Sequence, residues 1–204
     1  MPALTDNEAR ALAYFAIGVT SEGTDRSYRL SFAGNIVPDA HGVPRMYPKG
    51  NSGYSIGTLQ TDLGQHNEAA TALVDAYQRW AGTAHPDWAL DPAQRAQTVA
   101  DLGRDGDTIR AQNRRALDPT VRSHLDQFLA SDAGKTFVHQ HDVAQVDKLM
   151  HDVVTPLRGT ALYQHASAED QARLLAITAK AYNQSEVYGR RVLGHIQDGS
   201  ACCT

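Results

Sequence analysis

Apolar and polar positions along the chain read as a run of helices interrupted once. Thr5-Asp6-Asn7-Glu8 has the form of an N-cap followed by a Glu three residues on, a capping box. Leu12, Phe15, Ala16 and Val19 then recur at helical spacing, which predicts a helix over roughly residues 6–21 with a buried face, ended by Gly23. Ala70, Leu73, Val74, Tyr77 and Trp80 predict an amphipathic helix over 66–81. Asp91-Pro92 and Asp118-Pro119 each set a capping carboxylate before a proline at the first helical turn. The polar stretch between them, Arg104 to Arg115, also reads as helical. Phe137, Val143, Val146, Met150, Val153 and Leu157 carry the helical spacing through 132–157, closed by Pro156 and Gly159. Ser167-Ala168-Glu169-Asp170 opens a helix with Leu174, Leu175, Ile177, Thr178 and Ala181 on its apolar side, and a last helical run carries Val187, Val192 and Ile196.

The interruption is residues 24–53, with glycines at 34, 42, 50 and 53, prolines at 38, 44 and 48, and short β-branched or aromatic runs. That mixture predicts an irregular segment or a small hairpin. The expected fold is therefore mostly α, with a small irregular or β-containing excursion between residues 24 and 60. No internal repeat or low-complexity linker divides the chain, so a single domain over 1–204 is expected, with a disordered tail from 198 to 204.

Hydrophobic residues make up 42% of the chain and charged residues 21%, the balance of an ordinary globular protein. A net charge of −4 offers no strongly basic field, which argues against bulk nucleic-acid binding. An enzyme acting on an anionic polymer would have to gather its cations locally; Arg26, Arg29, Arg45 and Lys49 either do so or are solvated loop charges. The two cysteines, Cys202 and Cys203, are adjacent and near the end, where they cannot staple a fold. No run of about eighteen apolar residues appears, so no membrane span is expected. The N-terminus lacks a basic region followed by an apolar one, so a secretory signal is not expected either.

Glu22 lies between an apolar helical segment and a glycine, a place where a carboxyl can be partly desolvated. Desolvation raises a carboxyl pKa and lets it serve as a general acid near neutral pH. His139 and His141 are two apart, and on a helix such side chains do not share a face, so no metal site is expected from them. No metalloprotease helix motif, phosphate-binding loop, dinucleotide fingerprint or nucleophile elbow is present.

Three short patches belong together: Ser21-Glu22-Gly23, then Ser52-Gly53-Tyr54-Ser55-Ile56-Gly57-Thr58-Leu59-Gln60, then Ala181-Tyr182-Asn183-Gln184. In order and chemistry they resemble the lysozyme-like superfamily, closest to the soluble lytic transglycosylases, the goose-type lysozymes and the lambda-type endolysin. The resemblance implies a lysozyme-like helical domain that cleaves the β-1,4 bond of peptidoglycan without a cofactor. It implies Glu22 as catalytic acid and base and Tyr182 near the developing charge. Ser55 and Gln60, with Tyr54 and Asn183, would contact the sugar. The family's Gly-Leu-Met-Gln is Gly57-Thr58-Leu59-Gln60 here, and the glycine after its Ala-Tyr-Asn-Ala patch is Ser185.

A two-carboxylate mechanism would need a second Asp or Glu some 5–10 Å from the first. Asp25 is nearest in sequence, and Asp39 and Asp62 are the other candidates. In the lytic transglycosylases the substrate's own N-acetyl group serves instead. The resemblance also implies peptidoglycan glycan strands as partner, and an inhibitor protein that guards the producing cell. Synthesis in the cytoplasm and delivery to the wall by a specialised secretion system or phage lysis are expected. Two other readings stand beside this one: a non-catalytic peptidoglycan-binding or structural domain, and a chitosanase-like hydrolase. The latter requires an Asp just before the Gly-rich loop, where Lys49 and Asn51 stand.

Overall fold

The computed structural model describes residues 4–22 and 26–199, without the side chains of residues 20–22. The chain is mostly helical with one small β-containing segment, as its patterning predicts. Helix α1, Asp6–Tyr14, runs into a π-helical segment, Phe15–Glu22. Five short strands follow: β1 Ser31–Phe32, β2 Gly34–Pro38, β3 Pro44–Pro48, β4 Tyr54–Ile56 and β5 Thr61–Asp62. Then come α2 Asn67–Ala84, α3 Pro92–Leu102, α4 Gly106–Ala111, α5 Pro119–Ala130 and α6 Asp132–Leu149. A second π-helical segment, Met150–Val154, leads to α7 Thr155–Arg158, α8 Ala161–His165, α9 Ala168–Gln184 and α10 Glu186–Gln197.

These elements form two compact units, one made of Met1–Thr24 with His141–Thr204 and the other of Asp25–Gln140. The contiguous unit holds both β structures. β1, β4 and β5 make an antiparallel sheet in the order β1-β4-β5, and β2 pairs with β3 as a hairpin. Ser31 faces Ser55 and Ser55 faces Asp62 across the sheet, while Phe32 faces Tyr54 and Ile56 faces Thr61. Cross-strand partners share a face and neighbours along a strand alternate. The sheet therefore has a polar row of Ser31, Ser55 and Asp62 on one side and the Phe32–Tyr54 pair on the other. Leu73, Val74, Tyr77, Leu125, Phe128 and the fully buried Tyr54 belong to one core.

A buried ionic cluster braces the same unit. Asp101 and Arg104 are both almost without solvent exposure. Arg115 grips the Asp101 carboxylate with two nitrogens, one at 2.8 Å, and Arg104 Nη2 lies 3.4 Å from Asp101 Oδ1. The Arg104 carbonyl lies where a side chain on Gly53 would sit, 2.3 Å from the Cβ it would carry, so the cluster underlies the start of β4. Removing one partner of a buried pair strands the other charge. Asp101→Asn is expected to cost about 3–5 kcal/mol by that mechanism, read by urea denaturation.

In the unit made of both chain ends, α9 packs against α1, both π-helical segments, α8 and α10. The expected capping box forms: Thr5 Oγ1 accepts from the Glu8 N–H at 3.3 Å, and Glu8 Oε2 accepts from the Thr5 N–H at 2.8 Å. The predicted helix over 6–21 is present but differs in two respects. Its second half is π-helical, and its buried positions are Ala9, Ala13 and Ile17 rather than Leu12, Phe15, Ala16 and Val19. Phe15 is 57% exposed. Within α1 the small Ala9 and Ala13 are buried, while the larger Leu12 and Tyr14 are only half-buried. The predicted apolar side of α9 is likewise only partly inside, with Leu175, Thr178 and Ala181 buried and Ile177 63% exposed. Gly23, expected to end the first helix, lies outside the described residues, as does the tail from residue 200 onward.

Candidate functional site

The expected site residues are divided between the two units. Glu22 is the last residue of the first π-helical segment, which packs on α9. Its side chain lies outside the described residues, and so does the whole of Asp25. A π turn carries an extra residue per turn and occurs often at functional sites.

Tyr182 is buried on α9, only 5% exposed. Its hydroxyl donates to Asp152 Oδ2 at 2.6 Å and accepts from Arg190 Nη2 at 3.2 Å. Asp152 belongs to the second π-helical segment, and its other oxygen, Oδ1, accepts from His151 Nδ1 at 2.7 Å. The Arg190 guanidinium and the Lys148 ammonium lie over the Tyr182 ring, 5.5 and 5.9 Å from its centroid, and both pair with Glu186. Burial first, and then the carboxylate that takes its proton, push the Tyr182 hydroxyl above the ordinary phenol range. The same hydrogen bond, followed by that from His151, holds Asp152 below the usual carboxylate range. Asn183, the next residue of α9, is half-buried. Ser185, where the family pattern has glycine, caps α10 by accepting from the Tyr188 N–H at 3.3 Å.

The Gly-rich patch is in the contiguous unit. Tyr54, expected to line a cleft, instead fills the core, with its ring 5.7 Å from that of Phe32. The alternation of β4 requires this: with Ser55 on the polar row, Tyr54 must point the other way. Ser55 is itself largely buried. Gln60, expected to contact sugar, has its amide engaged within the protein. Its Oε1 accepts from Ser31 Oγ, and its Nε2 donates to the Gly57 carbonyl at 2.8 Å. Gln60 also has φ of 54°, an unfavourable value for a side-chain-bearing residue. Those two bonds hold the loop that carries it.

Of the remaining carboxylate candidates, Asp39 sits in the β2–β3 turn. The His41 and Val43 N–H groups and Arg45 hold it below the usual range. Asp62 is half-buried on the polar row. Burial raises its pKa against the opposing hydrogen bonds from the Gly53 and Gly64 N–H groups. An open groove of about 430 Å³ runs beside α5, lined by Pro119, Arg122, Ser123, Asp126, Gln127 and Ala130. None of the residues expected from the sequence lines it. Burial raises Asp126 there as well, while its carboxylate accepts from the Leu30 N–H at 2.7 Å. Among the described residues, no group of three His, Cys, Asp or Glu side chains is placed to hold a metal ion, and no helix is long and apolar enough to cross a membrane.

Comparison with known proteins returns no relative: no family model, no curated protein and no solved structure matches the chain. Asp152, His151 and Arg190 carried no sequence signal. They gather around Tyr182 only because α9, α10 and the second π-helical segment pack together.

Proposed function

We propose that the protein is a peptidoglycan-cleaving glycosidase acting on the β-1,4 bond between N-acetylmuramic acid and N-acetylglucosamine, with Glu22 as general acid and base. One observation carries the reading: the π-helical segment that ends at Glu22 packs on α9, the helix of Tyr182. The two residues assigned to the chemistry thus belong to adjoining elements of one compact unit.

In this scheme Glu22 gives its proton to the glycosidic oxygen as the bond breaks, and the sugar left behind gains oxocarbenium character. Tyr182 steadies that positive charge. The sugar's N-acetyl oxygen bonds to the anomeric carbon, and the C6 hydroxyl then displaces it to close a 1,6-anhydro ring. Glu22 takes up the hydroxyl proton, so the carboxyl ends as it began. If water replaces the C6 hydroxyl, the same residues act as a muramidase. Within the contiguous unit, Gln60 holds the Gly-rich loop through its bonds to Ser31 and Gly57. An enzyme of this kind reaches its substrate after delivery by a specialised secretion system or phage lysis, and an inhibitor protein protects the cell that makes it.

Mass spectrometry of the products released from purified sacculi tests the proposal. Anhydromuramyl ends mark the transglycosylase, reducing muramic acid ends mark the muramidase, and sacculi left intact but decorated with protein would reduce the chain to a binding domain.

A further inference from the structure

The hydrogen bonding around Tyr182 decides which half of the chemistry that residue can perform. A phenol has one proton to donate. Here that proton is directed at Asp152 Oδ2, 2.6 Å away, on a carboxylate that is only 18% exposed and held from its other side by His151. Toward any other group the Tyr182 oxygen can only accept, as it does from Arg190.

We infer that Asp152 is a positioning residue for Tyr182. By taking the phenol proton in a hydrogen bond, it presents the oxygen as an acceptor, the polarity that steadies a sugar ring with developing positive charge. This inference rests on the glycosidase reading above. It divides the work: Glu22 supplies the proton, and Tyr182 is barred from doing so by its carboxylate partner. The carboxylate also adds to the electron density of the phenol oxygen, because a hydrogen bond to an ionised acceptor polarises the donor more than a neutral one does. Access follows from what covers the ring. Arg190 and Lys148, which lie over it, are long side chains, each about half exposed, so the ring is covered by side chains at the surface. Asp152, on the π-helical segment and only 18% exposed, is the partner that orients the phenol proton.

A double-mutant cycle separates this role from a merely structural one. Asp152→Asn, Tyr182→Phe and the double variant are compared on soluble glycan strands, with melting temperatures recorded for each. Each single change is expected to lower kcat about tenfold at unchanged KM, the loss of one charge-assisted contact that matters in the transition state. The double variant should be no slower than Tyr182→Phe alone, since Asp152 has nothing left to position. Asp152→Glu should recover part of the rate, and it carries the cycle if Asp152→Asn does not fold. Wild-type kcat in Asp152→Asn, a loss confined to KM, or losses that multiply in the double variant would each overturn the inference. Glu22→Gln is run in parallel. If it stays fully active, or if the wild-type protein releases nothing, the glycosidase reading falls and takes this inference with it. If Glu22→Gln is inactive and the cycle is additive, the inference alone falls.

Discussion

Glu22→Gln is expected to reduce muropeptide release by at least about a thousandfold while leaving the fold intact. The side chains are nearly isosteric, but an amide neither donates a proton to a leaving oxygen nor takes one from an attacking hydroxyl. General acid–base catalysis contributes roughly 10²–10⁴ in rate, and in the proposed scheme a single group performs both transfers. Digestion of labelled sacculi measures the rate, and circular dichroism checks that helix content is unchanged. A variant with the wild-type rate would remove Glu22 from the mechanism. Ser21→Ala is a suitable neighbour control, since no transfer is assigned to Ser21.

Gly189→Ala is expected to destabilise the unit formed from both chain ends by about 3 kcal/mol or more, the upper range for an overpacked core. A methyl group at Gly189 would lie 2.3 Å from Tyr182 Cα and 2.6 Å from its Cβ. These are backbone and near-backbone atoms of α9, so no side-chain rotation relieves the contact. α10 would have to move off α9, and Arg190, one residue further along α10, would leave the Tyr182 hydroxyl. Activity should therefore fall together with stability. Gly194→Ala, on the same helix with open space around it, is the matched control. It should be neutral or stabilising by up to about 1 kcal/mol, because alanine favours a helix over glycine. Urea denaturation of the two variants beside wild type reads the difference.

Much of the helical framework was legible because caps are local. Asp91, Asp118 and Ser167 each accept from N–H groups two or three residues on, and that chemistry is visible in any short window of sequence. The π-helical segments were not legible. Residues 15–22 keep a helical apolar pattern, and the wider turn leaves no mark in it. Strand β4 is three residues long, too short to display a period of two, so nothing in Tyr54-Ser55-Ile56 told which of the first two faces inward. The Asp152–Tyr182 bond joins positions thirty residues apart on separate elements. The division into two units left no mark either, because α6 runs straight through the boundary after Gln140 and so supplies no linker.

That division has a consequence for a nascent chain. The ribosome completes Asp25–Gln140 before any of α9 exists, although residues 6–22 were made first. At ordinary elongation rates, on the order of ten seconds pass between the synthesis of Glu22 and that of its packing helix. Throughout that interval the segment bearing Glu22 has no α9 to rest on, and a chain that stops short of Ala168 never acquires one. On the glycosidase reading, a copy that stops short of α9 also lacks Tyr182 and is inert. On that reading, a cell making the enzyme is spared the activity of copies truncated before α9.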